Sequence, residues 1–396
     1  MQKNCRREID SRIRLCIIPH HTTPHHTTLL PEYRVAFIYY GIQDFDFDTL
    51  LNWLRKTMMM RDPNFVGRFV LDNENPDYVI ATDKCFVLWE QCLRLKKYLR
   101  RNKNCIFVFF SAECVDPDLN IFDYAFTWNP DLKCRDRVTH NIPYICRGTE
   151  PGVITHTNSL TLEEARKILD SNPRFCNFIY SHESEFRDNF FHLLSQYKRV
   201  DSLGACLNNT GTKSTRMQKD WYTLSIGLKS GYKFTIAMEN ATYKGYTSEK
   251  IISSLQAHTV PIYWGDPAVA EVLNPKAFIN CHDYSSPEEV IERVKEIDND
   301  DDQWLDMVTQ PWQTEEQRRR TLEYLSEYDS FVRHIFSQDL REARRRPEGE
   351  WPSLFTKGFT GAIGVMPPLY HRLKSIAGKL LSQNAKKALK RFLRVN

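Results

Sequence analysis

No stretch of the 396 residues comes near the roughly 18 consecutive apolar side chains that a bilayer-spanning helix needs; the run CIFVFF at 105–110 has only strand length. The N-terminus, MQKNCRREIDSRIR, is charged and no hydrophobic segment follows it, so neither a signal peptide nor an inserted anchor is expected. Paired cysteines are missing as well. The eleven cysteines are odd in number, dispersed and without a single C-x-x-C, which argues against a disulfide framework and against structural zinc and predicts reduced thiols in a cytosolic protein. Neither G-x-G-x-x-G nor G-x-x-x-x-G-K-[ST] occurs, which speaks against a dinucleotide dehydrogenase and a P-loop NTPase. With 15 glycines and 19 prolines the composition is not that of a linker or a collagen, and a formal charge of +4 is too balanced for a chain that wraps nucleic acid along its length.

What remains is a globular composition, 41% hydrophobic and 26% charged, in a chain long enough for two domains, or three at most, at roughly 100–200 residues each. Residues 1–30 read as a flexible lead-in. Its PHHTTPHHTT stretch (19–28) has no apolar period, and a metal site there would lack flanking cysteines or carboxylates. From Tyr33 onward strands and helices alternate: RVAFIYYG, the helix DTLLNWLRKTM, RFVLDN, PDYVIA, the helix CFVLWEQCLRLKKYLRRNK (85–103) and CIFVFFSAE (105–113). Regularity weakens near Pro143, Gly148, Pro151 and Gly152 and then resumes. TLEEARKILDS (161–171), EFRDNFFHLLSQYK (185–198), SEKIISSLQAHT (248–259) and PEEVIERVKEID (287–298) predict helices, and RFCNFIYS (174–181), YKFTIAMEN (232–240) and VPIYWG (260–265) predict strands. This pattern predicts an α/β fold of two Rossmann-like lobes facing a cleft, at 31–155 and 156–345, followed by a C-terminal segment at 346–396. Ligands in such open sheets sit beyond the carboxyl ends of the strands.

The densest polar stretch lies where a ligand belongs, between the strand ending near Met238 and the helix beginning near Ser248: ENATYKGYTSEK (239–250). A strand-to-helix loop aims backbone N–H groups and a helix dipole at the cleft, which suits a phosphate. Lys250 opposes that dipole unless an anion is present. A plain capping box, Ser or Thr followed by Glu, is the alternative reading.

The run FTIAMENATYKGYTSEKIISSLQAHTVPIYWGDPAVAEVLNPKAFINCHDYSSPEEVIERVKEI (234–297) resembles the signature region of the α1,3/4-fucosyltransferases, glycosyltransferase family 10. The resemblance extends more weakly over 34–335 and implies a GT-B glycosyltransferase fold, with an N-terminal acceptor lobe and a C-terminal nucleotide-sugar lobe. By that resemblance Lys250 and Arg187 would hold the diphosphate of GDP-β-L-fucose. Glu249 and Tyr246 would face ribose or fucose, and Asn240 and Ser181 would add hydrogen bonds to the nucleotide sugar. CIFVFF-SAEC followed by NIFDYAF is similar to the family's strand ending in Gly-Glu-Asn before Phe-Asp-Tyr-Ala, with Ala112 and Cys114 in place of Gly and Asn. Glu113 would then be the catalytic base, and Asp123 and Tyr124 would pack the loop. Without the resemblance, Glu113 could equally cap a turn and Arg187 pair with Glu183 on a surface helix.

The resemblance implies inverting transfer of L-fucose to the 3- or 4-hydroxyl of GlcNAc or glucose, as in Lewis-type surface glycans, with no cofactor and no essential divalent metal. A transferase using another nucleotide sugar, and a catalytically silent glycan- or membrane-binding protein, are the rival readings. The acidic run at 298–302 reads as a solvated loop. The tail 371–396 holds eight Lys and Arg residues and no acid, with Leu373, Ile376, Leu380, Leu381, Ala388, Phe392 and Leu393 at helical intervals. This basic amphipathic helix suits an anionic membrane surface better than nucleic acid, since Phe392 is its single stacking residue. The consistent setting is a bacterial cytoplasmic enzyme held peripherally at the inner membrane.

Overall fold

A strand covered on both faces of a parallel sheet reads as an unbroken apolar run, and Ile106–Phe110 and Tyr232–Met238 do so along their whole length. In the computed structural model, which describes residues 31–38, 65, 67–87, 89–101, 104–111, 113–141, 160–212 and 221–346, each run lies inside its own parallel sheet. The first sheet has six strands, β1 (Glu32–Ile38), β2 (Arg68–Leu71), β3 (Tyr78–Thr82), β4 (Ile106–Phe110), β5 (Tyr124–Thr127) and β6 (Val138–His140), in the order β2-β1-β3-β4-β5-β6. Helices α1 (Lys84–Val87) and α2 (Trp89–Arg101) cross from β3 to β4.

The second lobe opens with α3 (Leu162–Asp170), whose Thr161 and Glu164 form a capping box. It continues through β7 (Arg174–Phe178), α4 (Glu185–Tyr197), β8 (Val200–Ser202), α5 (Trp221–Lys229), β9 (Tyr232–Met238), α6 (Glu249–Gln256), β10 (Val260–Trp264) and β11 (Ile279–Asn280). Then come α7 (Pro287–Asp298), α8 (Asp301–Val308), α9 (Glu315–Phe336) and α10 (Leu340–Ala343). Its five strands run β11-β10-β9-β7-β8, again all parallel. The strand order reverses between β1 and β3 in one lobe and between β7 and β9 in the other, and each reversal opens a crevice at the strand carboxyl ends. The two Rossmann-like lobes expected from the sequence are therefore present.

One boundary differs from the sequence reading. The division at 345 assigns α9 to the second lobe, yet only its first turns remain there, with Leu325 packed beside Ile251, Val269 and Trp312. Farther along, Tyr328, Phe331, Val332, Ile335 and Phe336 enter the core of the first lobe against Val35, Phe37, Tyr78, Val108 and Phe126. A rigid helix of 22 residues thus spans both cores and pins the lobes together. The segment beyond it is fastened by buried Asp123, which accepts from Phe107 N (2.7 Å), Arg345 N (2.9 Å) and Arg346 N (2.8 Å) and pairs with the Arg346 guanidinium. Asp123 and Tyr124 are packing residues, as the sequence suggests.

The acidic run is not the solvated loop the sequence predicts. Asp298 is buried and pairs with Lys198 (3.0 Å) and Lys233 (3.6 Å), and Asp300 caps α8 by accepting from Asp302 N and Gln303 N. An acidic cluster reads as solvated only until its partners, about 65 and 100 positions earlier, fold onto it. The His-rich start, the predicted helix at 48–58 and the basic tail fall outside the described residues. Among those described, no helix is long and apolar enough to cross a membrane, and eight cysteines are unpaired thiols.

At the second crevice the two central strands are clamped by one hydroxyl. Tyr180, just past β7, lies against β9, where its OH accepts from Met238 N (2.7 Å) and sits 2.8 Å from the Ile236 carbonyl. We expect Tyr180→Phe to lower stability by about 1–3 kcal/mol in urea unfolding, because a buried N–H loses its acceptor; an unchanged midpoint would show that the clamp contributes nothing.

Candidate active site between the two lobes

The site is built on the second crevice. β9 runs into Glu239 and Asn240, a loop follows, and α6 begins after its N-cap Ser248, whose side chain accepts from Lys250 N. The capping box considered for this stretch is absent. Instead the glutamate at the end of the strand, fully buried Glu239, reaches forward: its carboxylate accepts from Ser248 N (2.9 Å), Ser248 Oγ (2.7 Å) and Lys250 Nζ (2.8 Å). Glu249 Oε1 stands 3.7 Å from the same Nζ. This resolves the conflict read from the sequence, since two carboxylates hold the lysine at a helix start that would otherwise repel it. Burial alone would lower the pKa of Lys250, but Glu239 and Glu249 outweigh it and hold the ammonium above its ordinary range. Burial raises Glu239 despite Lys250 beside it; Glu249, also opposed by burial, is held low by Lys250. An ammonium has three donors. Two are taken by Glu239 and Ser248, and the side chain is 23% exposed toward the cleft.

Arg187 comes from the first turn of α4 on the other side of the crevice. It does not pair with Glu183. The residue is 95% buried; its guanidinium stacks over the Tyr180 ring at 4.2 Å, donates once to the His182 carbonyl and leaves Nε without a hydrogen-bond partner. A buried, incompletely satisfied guanidinium is costly unless an anion completes it. Because the Tyr180 hydroxyl is bonded to Met238 N, one residue before Glu239, Arg187 on the Tyr180 ring lies close to the strand end that carries the counter-charge of Lys250. Ser181 follows Tyr180, half-buried at the rim.

Glu113 arrives from the opposite lobe. Past β4 the chain turns at Ser111, whose hydroxyl donates to the Glu113 and Val115 carbonyls (2.9 and 2.7 Å) while Asn141 Nδ2 holds the Ser111 carbonyl (2.6 Å). That turn delivers the Glu113 carboxylate across the cleft, where Asn240 Nδ2 (3.2 Å) and the Tyr246 hydroxyl (3.4 Å) donate to Oε2. Neighbouring Cys114 is kept a thiol, its pKa pushed up to about 12 by burial and by Glu239 and Glu113.

Further bonds close the lobes around these groups. Tyr243 OH bonds to Asp116, Lys244 pairs with Asp131 at 2.9 Å, and Trp128 meets the Tyr246 ring edge-on at 5.4 Å. The loop is stapled from beneath by Asp266, 99% buried, which accepts from Gly245 N (2.8 Å), Thr247 Oγ1 (2.9 Å) and Ala268 N (2.8 Å). Glu239 and Asp266 are the residues that sequence reasoning passed over. Their signal was an acid one or two residues past a buried strand, in AME and in YWGD. Gly245 has φ +84°, and a Cβ there would lie 2.1 Å from the Trp128 carbonyl. We expect Gly245→Ala to push the lobes apart at a stability loss of about 1–2 kcal/mol in urea unfolding; an unaltered midpoint would show that the close approach is dispensable.

The structure thus brings Glu113, Asn240 and Tyr246 into contact, joins Lys250 to Glu249, and sets Arg187 across the crevice from them. Among the described residues, no group of three or more His, Cys, Asp or Glu side chains is placed to hold a metal ion. Chemically the crevice offers one carboxylate from the first lobe and two cations, part-buried Lys250 and buried Arg187, on the second.

Residues 172–338 match the family described as glycosyltransferase family 10 (fucosyltransferase), C-terminal part. A fucosyltransferase candidate of Acanthamoeba polyphaga mimivirus is 29% identical over 281 residues, which is 65% of this chain and 46% of that protein. The α-(1,3)-fucosyltransferase of Helicobacter pylori is 29% identical over 224 residues, 51% of this chain and 46% of that protein. The chain spans about half the length of these relatives. The crystal structure of an α1,3-fucosyltransferase shares the fold, with a TM-score of 0.58 at 21% identity over 83% of this chain and 96% of that one; a structure titled as its GDP-fucose complex gives 0.52 over 79% and 94%.

Proposed function

We propose, on the premise that residues 172–338 are a glycosyltransferase family 10 domain, that this chain transfers L-fucose from GDP-β-L-fucose, with inversion, to a glycan hydroxyl. The observation that carries the reading is the placement of Glu113 of one lobe against Asn240 and Tyr246 of the other, in the cleft lined by Lys250 and Arg187. The name of the Helicobacter pylori relative, α-(1,3)-fucosyltransferase, supports a 3-hydroxyl as the acceptor group; GlcNAc or glucose as the sugar that carries it, and Lewis-type surface glycans as product, are part of this proposal.

The proposed chemistry is a single displacement. Glu113, ionised, takes the proton of the acceptor hydroxyl as that oxygen bonds to the anomeric carbon of fucose. The bond from that carbon to the β-phosphate oxygen breaks on the opposite face, so configuration inverts and no covalent enzyme intermediate forms. The electron pair leaves with GDP, where the Lys250 ammonium and the Arg187 guanidinium receive the new charge in a partly water-excluded site. Arg187 presents a planar fork and Lys250 a point charge, which suits two different phosphate oxygens. Glu249 beside Lys250 is placed for the ribose or fucose hydroxyls, and Ser181 adds a hydrogen bond at the rim. In this reading the two cations do the work a divalent metal would do, so activity persists in EDTA. The basic tail would hold the enzyme peripherally at a bacterial inner membrane, on the cytoplasmic side.

The test is GDP release from GDP-fucose with and without N-acetyllactosamine, followed by linkage analysis. Acceptor-dependent release with an α1,3-fucosylated product is expected. Release with a different nucleotide sugar only, or no GDP binding at all, would overturn the donor assignment.

A further inference from the structure

Lys229, at the end of α5, is 94% buried directly behind the first turns of α6. Its Nζ reaches the Lys250 carbonyl (3.4 Å) and the Ser253 hydroxyl, both neutral. Among the described residues it has no ion-pair partner. The charges that act on it are Glu249 and Lys250 of α6 and Glu239 at the end of β9, the groups that set the charge on the α6 side of the site. With Lys229 neutral, two carboxylates and one ammonium leave this α6 side of the site with a net negative charge, which offsets the Arg187 cation across the crevice. With Lys229 protonated that side is neutral.

We propose that Lys229 is a positioning residue of the donor site that takes up a proton when the nucleotide diphosphate binds, its ammonium then bracing the first turn of α6 behind Glu249 and Lys250. The inference rests on the donor assignment above. Burial in a site without a carboxylate partner brings the pKa of this lysine down to about 7, so the neutral amine is populated at neutral pH in the empty protein. An arriving anion favours the charged form and raises that pKa. Binding and protonation are therefore linked, with donor affinity greatest below the empty-site pKa and lost as pH rises through it. The proton comes from solvent and returns there when GDP leaves. No bond to Lys229 is made or broken.

The experiment is calorimetric titration of the full chain with GDP-fucose at pH 7.5 in HEPES and in Tris, whose ionisation heats differ and neither of which is a phosphate. GDP-fucose is the probe because its diphosphate, unlike that of GDP, carries no proton that titrates near neutrality. We expect uptake of at least about half a proton per donor bound, and a Kd that weakens roughly five- to tenfold between pH 6 and pH 8. Lys229→Met should bind GDP-fucose without buffer-dependent heat, and Lys229→Arg, charged throughout, should give a pH-independent Kd. Binding by the natural protein without proton uptake overturns the proposal even if neither variant folds, and so does uptake that survives in Lys229→Met. Failure of GDP-fucose to bind at all overturns the donor assignment instead, and this inference with it.

Discussion

Glu113→Gln is expected to slow fucosyl transfer by about two to four orders of magnitude while GDP-fucose binds as before, the span that a positioned general base contributes. The amide is isosteric and its oxygen still accepts from Asn240 Nδ2 and the Tyr246 hydroxyl, so the lobe contact persists. What it lacks is an affinity for the acceptor proton. The loss should appear in kcat under saturating donor, with the thermal midpoint and the donor Kd near those of the natural protein. Glu113→Asp keeps the proton acceptor but withdraws it by one methylene, and should recover part of the rate. Full activity in Glu113→Gln would remove this residue from the chemistry and leave it a lobe contact.

Neutralising Glu239 should do more damage to the fold than any other change in the cleft. Its carboxylate has no exposure and carries both the Ser248 cap and the Lys250 ammonium. Glu239→Gln leaves Lys250 with Glu249 at 3.7 Å as its sole counter-charge, and stranding one partner of a buried pair costs about 3–5 kcal/mol. Of a total stability of about 5–15 kcal/mol that is a large fraction. Urea unfolding of the variant should show the loss, and donor affinity should fall with it because the lysine is no longer held at the pocket. Removing both charges in Glu239→Gln/Lys250→Met should be less destabilising than the sum of the single changes, since neither member of the pair is left stranded opposite a neutral partner. Strict additivity would mean that the pair is not coupled.

Much of the donor half of the site was legible because it is continuous in the chain. Asn240, Tyr246, Glu249 and Lys250 all belong to one strand-to-helix connection, so an apolar run, a polar loop and a helical period sufficed to place them at a cleft. The mismatch of Lys250 with its helix dipole was visible in the sequence. Its answer was not, because only burial turns Glu239 from a residue beside the loop into the counter-charge beneath it. Lys229 was silent for the same reason. A lysine in a helix of mixed pattern reads as solvated until α5 packs on α6 and closes water off from its amine.

By itself, then, the sequence determined two parallel α/β layers, their strand-to-helix connections and the identity of the groups at each connection, since all of these follow from local periodicity and turn chemistry. Only the tertiary structure decided which groups meet. Glu113 and Asn240 lie 127 positions apart and touch because two separate sheets dock with their strand ends facing, and α9 holds them so by entering both cores. Periodicity reports which face of an element is buried. It carries no distance between faces on different sheets, and electrostatic partnership in a desolvated cleft depends on that distance.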